Sequence, residues 1–147
     1  MESESFSERL LRIILRLTAA LMLLALVAVF MPKSWMAAAH EWLGLGVFPD
    51  APIAEYLARS TSALYALVGG AMLIAASDVR RYARMITYLA LAMAAVSVAI
   101  FVTCFSDLPL WWLLGDLVTA GGFAAIVLVL QHMARKSRIP EGGPASR

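Results

Sequence analysis

A single cysteine, Cys104, excludes an intramolecular disulfide and any cluster of thiolate metal ligands. Histidine is almost as scarce, with only His40 and His132, and no hydrolase motif surrounds His40, Ser60 or Ser62, so a serine–histidine–acid site has no support. Charged residues make up only 15% of the chain, and no basic stripe is interleaved with exposed aromatics, which excludes a nucleic-acid partner. In place of charge there is hydrocarbon: 62% of residues are hydrophobic and the mean hydropathy is +0.81, outside the usual range of soluble domains.

A bilayer core about 30 Å thick needs about 20 apolar residues per helix. Four stretches meet that need, at about 10–31, 54–77, 84–105 and 109–131, and with their connections they form a single domain over residues 1–138. The expected class is therefore all-α: an integral membrane four-helix bundle with the lipid bilayer as its first partner. Of the twelve basic residues, Arg9, Arg12, Arg16, Arg80, Arg81, Arg84, Arg135, Lys136, Arg138 and Arg147 fall on one side of these spans, and only Lys33 and Arg59 on the other. By the positive-inside rule that asymmetry predicts both termini in the cytoplasm. It also separates His40 from His132 across the membrane, which excludes a haem held by the two.

Ser5 and Glu8 have capping-box spacing, so a helix is expected to start ahead of the membrane. The first span lacks a small-x-small cleavage site before Pro32 and is read as a retained helix. Between spans one and two, Trp35, Ala38, Ala39 and Trp42 recur at helical spacing opposite Lys33, His40 and Glu41, predicting a short amphipathic interfacial helix over about 33–43 that Gly44 and Gly46 stop. His40 and Glu41 are adjacent and have no second histidine on that side, so they make no metal site. Asp50 and Asp107, each two residues before a proline, are expected to cap spans two and four, and Trp111 and Trp112 to mark the outer interface. The alanine-rich third span, with Ser97 and Thr103, has a packing composition. Residues 139–147 carry too little apolar content to fold and are expected to be a disordered cytoplasmic tail.

One constellation carries chemistry. On a helical wheel of the second span, Glu55, Arg59, Ser62, Ala63, Ala66, Gly70, Leu73 and Ser77 share a small and polar face, while Leu57, Leu64, Val68, Ala71, Met72 and Ala75 lie on the opposite, lipid-suited one. At about 1.5 Å per residue, Arg59 stands about 27 Å above Ser77 and Asp116 about 22 Å above Gln131. Glu55, Arg59, Ser62 and Asp116 could thus form an outward polar pocket, or a structural clamp between helices, with the Glu55–Arg59 spacing favouring an ion pair. No catalytic residue, metal site or cofactor emerges from any other pattern.

The motifs Leu-Leu-Arg-Ile-Ile-Leu-Arg (10–16), Trp-Leu-Gly-Leu-Gly (42–46) and Tyr-Leu-Ala-Arg-Ser followed by Ala-Leu-Tyr-Ala-Leu-Val-Gly-Gly (56–70) resemble small four-helix bacterial inner-membrane proteins of unknown function, loosely of the DoxX-like type. The resemblance spans about residues 10–130 and implies a four-helix bundle in a bacterial cytoplasmic membrane, with no catalytic residue transferred. The expected function is that of a non-enzymatic accessory or interaction subunit in a homo-oligomer or larger membrane complex. The alternative is a carrier of a small molecule or ion using a pocket at Arg59 and Asp116.

Overall fold

Residues 5–136 are described by a computed structural model, and all regular structure among them is helical. The helices are α1 (Phe6–Leu23), α2 (Leu26–Phe30), α3 (Lys33–Trp42), α4 (Pro52–Ala75), α5 (Ala83–Thr103) and α6 (Leu110–Lys136). Four segments are long and apolar enough to cross a membrane: α1 with α2 as one run of 25 residues, then α4, α5 and α6. The expected tail at 139–147 lies outside the described residues.

Local sequence accounts for the helix ends. Ser5 caps α1 through its hydroxyl, which accepts from the Glu8 amide, while Glu8 returns a carboxylate to the Ser5 amide. Between α1 and α2 the chain tightens rather than breaking: Ala25, Val27 and Ala28 donate to carbonyls three residues back. Gly44 ends α3 with φ of 70°, and the bonds from Gly44 N to Glu41 O (2.9 Å) and from Leu45 N to His40 O (3.1 Å) form a Schellman motif.

Asp50 departs from expectation. The residue at the α4 N-cap is Ala51, without a side-chain cap, and Pro52 opens the helix. Asp50 instead pairs with Lys33 at the start of α3, a bond that holds the Lys33 ammonium above its usual range and the Asp50 carboxyl below its own. The basic partner 17 residues back outcompetes the helix amides because a full charge is a stronger donor than a neutral N–H. Asp107 likewise accepts its side-chain bond from Ser106, 3.2 Å away, while Pro109 O accepts from the amides of Trp112 and Leu113.

The helices associate as two pairs, α1 and α2 against α4, and α5 against α6, with α1 packed on α6 and only sparse contact between α4 and α5. The main apolar core joins all four long helices: Leu11, Leu15, Ala75, Ala76, Val79, Ile86, Ala90, Ala124, Val127 and Leu130. These residues gather at the end of the bundle where α1 begins and α6 finishes, here called the terminal end.

On α4 the buried residues are Ala66, Gly69, Met72 and Ala75. Met72 and Ala75 are inside, whereas Leu73 and Ser77 of the expected inner face are exposed. A single wheel centred on Arg59 fails because successive steps of three residues wind the contact surface about half a turn around the helix between 66 and 75. The upper part meets α1 and α2, and the lower part is enclosed by the core. Gly69 marks the closest approach: a Cβ there would lie 2.9 Å from Met22 Cβ and 3.0 Å from Ala19 O. Gly70 would meet nothing within 4 Å.

Gly69→Ala is expected to cost about 1–3 kcal/mol through overpacking against the α1 backbone, and Gly70→Ala to be neutral or slightly stabilising. Thermal unfolding in detergent distinguishes the two; equal tolerance would show that α1 and α4 do not meet at Gly69.

Candidate functional site

At the end of the bundle that carries α3, the first span stops at Met31 before Pro32. Its last carbonyls have no intrahelical donors, and Pro32 has no N–H to offer them. Arg59 fills that gap. Its Nη1 donates to Val29 O, and its Nη2 to Met31 O at 3.0 Å. The same guanidinium binds Glu55 Oε1 from Nε (3.1 Å) and Nη2 (2.7 Å), one helical turn earlier on α4. A cation is thereby placed at the negative end of a helix dipole, with its own charge balanced by Glu55. Both side chains are about one-third exposed, 31% each.

Asp116 has a different partner. Its carboxylate accepts from the hydroxyl of Ser97, which is 3% exposed on α5. Ser97 lies six residues before the end of α5 and Asp116 six after the start of α6, so both sit about 9 Å inside their helix ends. The structure thus brings Glu55 and Arg59 together, and places the polar contacts of Asp116 on the α5–α6 pair. Ser62 is half-buried one turn below Arg59, and its hydroxyl has no partner among the described residues. His40 ties down its own loop: Nδ1 lies 2.9 Å from Gly46 O, and the ring meets Phe48 edge-on with centroids 5.5 Å apart.

The terminal end holds polar contacts between residues far apart in sequence. Glu8 is 1% exposed and accepts two bonds from Arg80 in the α4–α5 turn, Nε to Oε1 at 2.9 Å and Nη2 to Oε2 at 2.7 Å. Nearby, Gln131 of α6 is buried, donates from Nε2 to Ala83 O at 2.9 Å, and accepts from Thr87 Oγ1 at 2.6 Å. A cavity of about 40 Å³ lined by Glu8, Leu11, Val79, Arg80, Ala83, Gln131, Ala134 and Arg135 separates the two networks. That volume accommodates a water molecule and no organic ligand.

The signals were faint but present. Glu8 could be both N3 of a cap and an interhelical acid, and Gln131 is an uncharged polar residue at the end of a long apolar run. Among the described residues no group of three or more His, Cys, Asp or Glu side chains is gathered as metal ligands require. Chemically, the polar residues serve to satisfy helix ends and to join helices.

Two double-substitution cycles follow. Glu55→Gln with Arg59→Gln is expected to show a coupling of about 0.5–1 kcal/mol in thermal or denaturant unfolding, and Arg59→Gln with Asp116→Asn additivity within about 0.5 kcal/mol. Coupling only in the second cycle would place Arg59 on Asp116. Glu8→Gln alone is expected to cost about 1–3 kcal/mol in thermal unfolding, since it replaces charge-assisted bonds between a buried carboxylate and the partly exposed Arg80 by weaker neutral ones.

The Lys33–Asp50 pair is exposed, so its effect is local. Its contribution to order in the α3–α4 connection is expected to hold between roughly pH 4 and pH 10. It is lost as acid protonates Asp50 below its lowered pKa, and as base neutralises Lys33 above its raised one. Amide exchange over residues 43–51, corrected for intrinsic rates, reads this out; a transition near neutral pH would contradict it.

No family model matches this chain, and comparison with curated proteins and with solved structures gives no match.

Proposed function

We propose that the chain is a non-enzymatic membrane subunit whose activity is association with other membrane components. The observation that carries this reading is the contrast between its polar and apolar residues. Arg59, Glu55, Asp116 and Glu8 are all engaged in bonds within the chain. The apolar faces, by contrast, are far from covered: in an apolar 18-residue stretch of each span, only 11% to 28% of the residues are buried. A bundle arranged in this way has little polar capacity left for binding a solute and ample apolar surface for helix association and lipid.

The location proposed with it is a bacterial cytoplasmic membrane, with both termini in the cytoplasm and α3 lying at the outer interface. Basic residues at the terminal end support the orientation. The outward Trp35 and Trp42, 65% and 85% exposed, support the placing of α3 at headgroup depth. Kinship with small DoxX-like four-helix proteins is part of the same proposal and rests on the motifs around residues 10–16, 42–46 and 56–70.

A carrier function is the competing reading. What favours it is Asp116, a half-buried acid within a span whose one side-chain partner among the described residues is Ser97. It requires Arg59 or a second protein copy to complete a pocket there.

In a Cys104→Ala background, Ala39→Cys should react with an impermeant maleimide on intact cells and Ser77→Cys only after lysis; the reverse pattern would invert the topology. Photo-crosslinking from Leu67 and Val118, exposed on α4 and α6, should yield discrete protein adducts in native membranes. Lipid adducts alone at both positions, together with a solute-dependent thermal shift that Asp116→Asn abolishes, would favour the carrier.

A further inference from the structure

Between α5 and α6 at the terminal end, an open cleft of about 210 Å³ is lined by Thr87, Leu128, Gln131, His132 and Arg135. Its wall is hydrogen-bonded: the one proton of the Thr87 hydroxyl is shared between Gln131 Oε1 at 2.6 Å and Ala83 O at 3.0 Å, and Gln131 Nε2 donates to the same Ala83 carbonyl. Gln131 is only 7% exposed, and one of its two amide N–H groups is used on Ala83, leaving the other without a partner among the described residues. Arg135 and His132 stand at the rim. Arg84, one turn before Thr87 on α5, shares its face. Neither Arg84 nor Arg135 has a carboxylate partner among the described residues, whereas Arg80 is committed to Glu8.

The cleft is also graded in polarity. Leu128 lies one turn deeper than His132, and Leu91 one turn deeper than Thr87; both leucines are partly exposed, at 38% and 49%. Cations at the interface, hydrogen-bond donors below them and aliphatic side chains toward the membrane interior reproduce the order of groups along a phospholipid. We propose that this cleft binds an anionic diacyl phospholipid, with the phosphate held by Arg84, Arg135 and His132 and an acyl chain lying along Leu91 and Leu128. A basic recess between helices at the headgroup level is suited to such a headgroup because each cation near the membrane surface adds to the attraction for an anionic lipid. The leucine pair selects a lipid over a free phosphate, which would gain nothing from it.

Native mass spectrometry of the detergent-solubilised protein, titrated with phosphatidylglycerol or phosphatidylcholine, tests this. Phosphatidylglycerol should bind more tightly to the unaltered protein. The double variant Arg84→Gln, Arg135→Gln should weaken it about 30-fold, about fivefold per cation removed, with phosphatidylcholine binding unchanged. Arg9→Gln, which removes an exposed cation at the same end but away from the cleft, should leave both lipids unaffected. Both groups of the double variant are exposed, and unchanged thermal unfolding without added lipid verifies its fold. Equal binding of the two lipids, or an equal loss in Arg9→Gln, would overturn the site. Glycerol phosphate binding as tightly as the lipid would also overturn it, by showing a site for a small anion.

Discussion

Hydrocarbon offers no water to complete a hydrogen bond, so each polar group that enters a helical span must find its partner in protein or at the interface. The bonds of Arg59 to the carbonyls of Val29 and Met31 are the clearest expression of that constraint here. The first span ends at a proline, its carbonyls lack donors, and the neighbouring helix supplies them from a side chain whose charge is balanced one turn away by Glu55. The same logic pairs Asp116 with Ser97 and Glu8 with Arg80. Each pair satisfies a group that would otherwise cost several kcal/mol in an apolar medium, and each sits near a helix end.

Packing distributes the remaining work unevenly. The apolar core, the Glu8–Arg80 pair and the Thr87–Gln131 network all lie toward the terminal end. Contact between α4 and α5 is sparse, and toward the opposite end the bonds of Arg59 stay within the first helix pair and that of Asp116 within the second. Close packing at Gly69 fixes α1 on α4 where a side chain would meet backbone, so helix separation there is determined by a missing Cβ rather than by an attractive group. The fold thus gathers its shared core at the terminal end and keeps its other polar bonds within each helix pair. The proposed association with other membrane helices would suit this arrangement, since the exposed faces of the pairs could meet them without disturbing that core.

Much of this architecture was legible in the sequence. The capping box at Ser5 and Glu8, the four apolar runs, the short helix after Lys33 and its glycine stop are all local patterns, and local patterns survive without knowledge of neighbours. The Glu55–Arg59 pair is local too, at i,i+4. What escaped notice depends on distance along the chain. Glu8 and Arg80 are 72 residues apart, and Thr87 and Gln131 are 44 apart. The acceptors for Arg59 are backbone carbonyls, which no residue type announces. Asp50 departs from expectation for a related reason: its position before Pro52 fits a cap, but the competing charge of Lys33 lies a whole helix away. Met72 and Ala75 on α4 escaped because a helix enclosed by different neighbours along its length has no single inner face.

The polar groups within the spans are bonded separately, Arg59 to the end of the first span and to Glu55, and Asp116 to the hydroxyl of Ser97. Solid-state NMR in bilayers can measure dipolar couplings from the Arg59 guanidinium nitrogens directly. The structure predicts contacts within about 4 Å to the carbonyl carbons of Val29 and Met31 and to Cδ of Glu55, and none to Cγ of Asp116. A strong coupling to Asp116, with those to Val29 and Met31 absent, would contradict the account.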